Sequence, residues 1–174
     1  MLERLVLRPF SLKDARRVQL LAGDESIASG AINLPYPYTD GVAESWINNH
    51  ENEFMNGNSV ILAITLKENS ILIGSIGIYI NKKHNHAELG YWIGKDYWGN
   101  HYCSEAVQGM LKHAFEHLKL NKVFAYFLHR NQASGKVLIN NNGFVKEGYL
   151  KQHVKYNEKY EDIECYSLLK TDFN

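Results

Sequence analysis

The run from His86 to Ala106, HAELGYWIGKDYWGNHYCSEA, constrains this chain more than any other stretch. Ala87 to Ile93 reads as a strand, Gly94 to His101 as a glycine-bearing loop, and a helix opens near Tyr102. The helix follows from spacing. Cys103, Ala106, Val107, Met110, Leu111, Ala114, Phe115 and Leu118 recur at helical intervals, while Glu105, Gln108, Lys112 and Glu116 take the opposite face.

Such a loop has a definite chemical capacity. The first N–H groups of a helix lack intrahelical partners, and the aligned peptide dipoles put partial positive charge there. Phosphate binds such places without Lys or Arg. Two readings stay open on the residues alone: a site for a phosphorylated ligand, or an ordinary strand-to-helix connection with Gly94 and Gly99 serving the turn.

The length of 174 residues suits one domain, 1–174, with one good core. Its 19 Lys and Arg balance 19 Asp and Glu, so charge favours neither nucleic acid nor an anionic membrane as partner. Cys103 and Cys165 are too few for a disulfide framework. No apolar run approaches a membrane span and no signal-peptide pattern opens the chain, so a soluble, cytoplasmic protein is expected.

Leu2 to Arg8 alternates as a half-buried strand. Ser11, with Asp14 three residues on, caps a helix from about Leu12 to Leu21, with Leu12, Ala15, Val18 and Leu21 inward. Leu34 to Tyr38 is a rigid aromatic connector. Thr39 or Asp40 caps a second helix to about Asn56, with Val42, Trp46, Ile47 and Phe54 inward. Ser59 to Leu66 and Ile71 to Ile80 form a hairpin, then the strand above. After the long helix come a strand, Lys122 to Leu128, and a helix, Asn131 to Asn141. Asn140-Asn-Asn-Gly143 is suited to ending that helix in the left-handed conformation. Phe144 to Tyr156 and Tyr160 to Lys170 close the chain as a hairpin about Asn157-Glu158.

Glu88-Leu-Gly-Tyr-Trp-Ile93, followed by Tyr97-Trp-Gly-x-x-Tyr102-x-Ser-Glu-Ala106, closely resembles the acetyl-CoA loop of GNAT acetyltransferases of the ribosomal-protein N-terminal (RimJ/RimL-like) branch. The resemblance continues through Leu7-Arg-Pro9, Leu120-Asn-Lys-Val123, Asn131-x-x-Ser134, Gly143-Phe144, Glu147-Gly148 and Tyr166-Ser-Leu-Leu169, in family order. It implies an α/β (α+β mixed) GNAT fold: a mostly antiparallel sheet of about seven strands, helices on both faces, and a splay between the fourth and fifth strands.

The resemblance also implies direct transfer of acetyl from CoA to a primary amine, with acetyl-CoA as cofactor and CoA as product. Backbone groups of Trp92, Ile93 and Gly94 would hold the pantetheine arm. Trp98, Gly99, Asn100, His101, Tyr102, Cys103 and Ser104 would surround the pyrophosphate, Asn131 would bond the pantetheine, and Lys136 would lie near the phosphates. Ser134 is expected at the CoA sulfur, and Glu88 as the base for the amine. Tyr36, Tyr38 and Trp46 would line the acceptor pocket. Many members are dimers, so a homodimer is one expectation.

The sequence departs from the family in places. His101 stands where a second loop glycine is usual, and Asp96 where many members have Arg or Gln. Leu138 replaces a tyrosine acid, and Val154, beside His153, an acidic residue found in some relatives. Cys103 belongs to an apolar helix face, which suits an inert thiol. His84 with His86, and His113 with His117, lack the partners of a recognised metal site, so no metal is expected. The alternative function is a CoA-binding sensor or interaction module without catalysis. A nucleotide-binding protein of another fold is disfavoured, since no Gly-x-Gly-x-x-Gly or P-loop lysine motif is present.

Overall fold

Apolar residues alternate or run continuously through seven segments, and these become the strands of one sheet. The strands are β1 (Leu5–Pro9), β2 (Ser59–Leu66), β3 (Leu72–Asn81), β4 (His86–Ile93), β5 (Lys122–Leu128), β6 (Val145–Tyr156) and β7 (Lys159–Leu169). The computed structural model describes residues 2–156 and 158–173, apart from the side chain of Asn141. The expected turn at Asn157-Glu158 thus falls partly on Asn157, outside the described residues. Sheet order is β1-β2-β3-β4-β5-β7-β6. Every neighbouring pair is antiparallel except β4–β5, which is parallel. A parallel pair needs a crossover, and α5 (Tyr102–Lys112) supplies it.

The remaining helices are α1 (Ala15–Ala22), α2 (Glu25–Ala28), α3 (Val42–Asn48), α4 (His50–Met55) and α6 (Gln132–Asn142). They divide the core by sheet face. Leu89 and Ile93 of β4 pack with Val107, Met110 and Leu111 of α5 and Leu138 of α6. Trp92, of opposite parity on the same strand, packs with Val18 and Leu21 of α1 and Ile47 of α3. Burial of these apolar surfaces is the main drive to fold.

The structure corrects several local expectations. Leu12 lies in a 3₁₀ turn (Leu12–Asp14) ahead of α1 and is 55% exposed, so the inward stripe begins at Ala15. The turn itself is fixed as expected, with Ser11 N–H donating to Asp14 Oδ2 at 2.8 Å. The second helix divides into α3 and α4 at Asn49, and Phe54, expected inward, is 56% exposed. The N-cap of α3 is Gly41, at φ +84°, rather than Thr39 or Asp40. The short α2 has no expected counterpart. The long helix widens into a π turn (His113–His117) before Leu118. Gly143 ends α6 at φ +70°, the left-handed stop that its sequence suggested.

What positions the site is the β4–β5 pair. Its register holds only for His86↔Lys122, Ala87↔Val123 and Glu88↔Phe124. Beyond that, β4 runs on to Ile93 beside β3 and β5 runs on to Leu128 beside β7. The two strands part, leaving a wedge-shaped opening.

Candidate active site

The loop after β4 is held from several sides. Gly94 N–H donates to Ile73 O at 2.8 Å, and Gly94 O accepts from Tyr97 N–H at 2.9 Å. Both groups of Gly94 are therefore committed to the fold. Antiparallel ladders alternate, so Trp92 also turns its backbone groups to β3, while Tyr91 and Ile93 turn theirs to the opening. The Ile93 carbonyl accepts the Trp98 indole N–H at 2.7 Å. That makes the Ile93 N–H a backbone donor directed into the wedge.

Asn100 folds its side chain back on the loop, donating to Tyr97 O at 3.2 Å and Trp98 O at 3.0 Å. Gly99 has φ +77°, and a Cβ built there would meet nothing within 4 Å. His101 has φ +61° and is the N-cap of α5 without a side-chain capping bond. His is among the residues that tolerate this left-handed region. The backbone turn expected of a glycine is therefore made by His101. Tyr102, Cys103 and Ser104 follow in the first turn, whose N–H groups precede the intrahelical ladder. Glu105, in the same turn, would repel an anion. Arg4 answers it: Nε lies 2.9 Å from Glu105 Oε2, Nη1 donates to Asn100 O at 2.9 Å, and the guanidinium lies 4.8 Å from the Tyr102 ring centre. The open side at Gly99 and the uncapped first turn fit a pyrophosphate. Cys103 packs against the main core and burial pushes its thiol up, so it stays protonated.

Across the wedge, α6 begins at Asn131. Its Oδ1 accepts Ser134 N–H at 3.3 Å, and its Nδ2 donates to Gly30 O at 2.8 Å. Ser134 is half-buried, and its Oγ lies 3.0 Å from Tyr91 Oη. Tyr91 also donates to the Ser134 carbonyl at 3.0 Å. Gly135 lets α6 come this close, since a Cβ there would stand 2.7 Å from the Phe127 ring. Leu138 is fully buried, and exposed Lys136 lies on the other side of α6 from Ser134.

Glu88 has the parity of Trp92, so it lies on the sheet face opposite Tyr91. It is half-buried at the apex of the wedge, paired with Tyr79 and Phe124. Burial pushes its carboxyl above the usual range, and no salt bridge relieves it among the described residues. It sits four residues before Trp92, about 13 Å along the strand.

The expected acceptor residues are not all together. Trp46 is packed edge-on with His50 at 4.4 Å and with Phe10 at 5.0 Å. Tyr38 is half-buried against the α1–α3 core, and Tyr36 is 48% exposed in the connector. Sequence reasoning missed Tyr91 and Arg4. Tyr91 was hidden in an apolar strand run, and Arg4 acts across 101 residues of chain. It also missed Glu164, 4% exposed, where Lys146 and His129 each approach to 2.6 Å. Burial alone would raise that carboxyl; the hydrogen bonds hold it down to about 2.

A family profile described as an acetyltransferase (GNAT) domain matches residues 4–145. The chain belongs to the GNAT acetyltransferase family. It is 32% identical over 173 residues to an uncharacterized N-acetyltransferase, p20, of Bacillus licheniformis, covering 98% of this chain and 96% of the relative. It is 25% identical over 171 residues to a spermidine N(1)-acetyltransferase of Vibrio cholerae, covering 98% and 95%. Its fold matches that of RimL, a ribosomal L7/L12 α-N-protein acetyltransferase in complex with coenzyme A, with a TM-score of 0.88 over 97% of this chain and 96% of RimL, at 19% identity. This GNAT chain is accordingly an acetyl-CoA-dependent N-acetyltransferase, and the catalytic reading prevails over a CoA-binding module.

Proposed function

We propose that the wedge between β4 and β5 is the transfer site and that this chain is of the RimJ/RimL-like kind. The observation that carries the proposal is the parting of β4 from β5 after Glu88↔Phe124, with Ser134 hydrogen-bonded at its mouth. Acetyl-CoA supplies an activated acyl carbonyl and a thiolate leaving group. The loop from Trp98 to Ser104 would hold its pyrophosphate, the backbone of Tyr91 and Ile93 its pantetheine arm, and Asn131 would add a polar contact. Lys136 stays a solvent-side candidate for its phosphates.

Glu88 would take a proton from the incoming amine through a relay of water, since about 13 Å of strand separates it from Trp92. A carboxyl raised by burial is a better base near neutral pH than an ordinary one. Ser134 Oγ–H would be directed at the sulfur, and the Ile93 N–H is the donor aimed into the wedge for the carbonyl oxygen. The amine would then approach on the Glu88 face, flanked by Tyr79 and Phe124, with the Tyr36–Tyr38 connector and Trp46 forming an outer wall. The relatives suggest two acceptor classes, a polyamine such as spermidine and a protein N-terminus. Acetyl-CoA consumption with spermidine and with peptides of free N-terminus separates them. Glu88→Gln lowers kcat by about 10² to 10⁴ at neutral pH while leaving CoA affinity intact. Unchanged turnover in Glu88→Gln would rule it out as the base.

A further inference from the structure

The hydroxyl of Tyr91 faces two oxygens of one residue: Ser134 Oγ at 3.0 Å and Ser134 O at 3.0 Å. A phenol carries one hydrogen. Both contacts are hydrogen bonds at once only if Tyr91 donates to the carbonyl and Ser134 Oγ–H donates to Tyr91 Oη. In the other arrangement Tyr91 donates to Oγ, and the serine hydrogen is released. The distances are equal, so the exchange needs only rotation of O–H bonds. A hydroxyl that accepts a hydrogen bond is itself a stronger donor.

We propose that Tyr91 is a positioning residue for acetyl transfer: it holds Ser134 Oγ at the mouth of the wedge and donates to that oxygen when Ser134 turns its own hydrogen to the sulfur of CoA. This rests on the assignment of Ser134 made above. No proton leaves Tyr91. As the C–N bond forms and the C–S bond breaks, the amine proton passes to Glu88 and CoA leaves as a thiolate that the Ser134 Oγ–H hydrogen bond stabilises and solvent later protonates, so the step balances. Burial next to Cys103 pushes the Tyr91 phenol far up, which keeps its hydrogen in place at any working pH. Strand β4 contributes the ring and helix α6 the serine, so the bond spans the opening.

The test uses CoA alone and needs no acceptor. Ionisation of the enzyme-bound CoA thiol is followed against pH by the ultraviolet absorbance of the thiolate in wild type, Ser134→Ala, Tyr91→Phe and the double variant. A donor to the sulfur favours the thiolate, so Ser134→Ala raises the midpoint. Tyr91→Phe raises it by roughly one pH unit, the equivalent of a tenfold weaker interaction. In the Ser134→Ala background Tyr91→Phe adds nothing, because its effect passes through Oγ. Transfer by Tyr91→Phe falls about tenfold in kcat while the affinity for CoA below the midpoint holds. A wild-type midpoint in Tyr91→Phe, with Ser134→Ala shifted, overturns the inference. A wild-type midpoint in Ser134→Ala overturns the assignment of Ser134 and this inference with it, while CoA affinity judges the cofactor site separately. Should Tyr91→Phe fail to fold, a ring-difluorinated tyrosine at position 91 keeps the shape and donates more strongly. It must lower the midpoint, and an unchanged midpoint overturns the proposal.

Discussion

Single residues set the tolerances of this site. Gly135 is one: a Cβ would lie 2.7 Å from the Phe127 ring, and Phe127 is 3% exposed with little room to yield. Gly135→Ala should cost about 1–3 kcal/mol of stability and displace Ser134, read as a lower melting temperature together with a lower kcat. His101 is another. A β-branched residue tolerates φ +61° far less well, so His101→Val should weaken CoA binding and His101→Gly should preserve it, by calorimetry. His50 gives a pH signature. Both ring nitrogens are buried without partners beside Phe10 and Trp46, and burial pushes its pKa down to about 4. The unfolded chain therefore binds a proton that the fold refuses between pH 6.5 and 4. Stability should fall as pH drops through that window, and His50→Phe should flatten the fall in denaturant midpoints. An equal fall in both proteins would contradict this.

At the scale of elements, much was readable because periodicity reports which face is buried. Strands β2, β3 and β5 appear within a residue of their expected ends, since each is bounded by polar turns. The break between α3 and α4 was not readable: Asn49 itself keeps helical dihedrals, and no glycine or proline marks the interruption. The binding loop was legible as strand, glycine and helix, but its bracing was not. Arg4 reaches it from just ahead of β1, and a contact across 101 residues leaves no local pattern. Arg4→Ala should free the Glu105 carboxylate beside the first turn of α5 and loosen the Asn100 carbonyl. We expect CoA affinity to drop about tenfold at low salt, and less at high salt as the charge is screened. Restoring affinity by adding Glu105→Gln would show that the released charge is the cause.

For the molecule as a whole, the parallel β4–β5 pair positions the proposed transfer site. Six antiparallel or crossover connections could have been met by an unbroken sheet, but the pairing stops at Glu88↔Phe124 and opens a path between faces. Ser134 lies on α6 and Glu88 on the α1–α3 side of the sheet, so in the proposed reaction acetyl donor and amine would meet from opposite faces. The sequence carried the candidate site residues in order, through their resemblance to a family. It did not carry the partnership of Tyr91 with Ser134, because nothing in a run of apolar strand residues tells which hydroxyl will find which. The measurement that tests the account most directly is calorimetric titration of CoA into wild type and Gly99→Trp, with melting temperatures of both as a control. The loop reading predicts binding by the wild type, and loss of at least about a hundredfold in a folded variant whose indole fills the open side at Gly99. Equal affinity in both proteins, or no binding by the wild type, would contradict it.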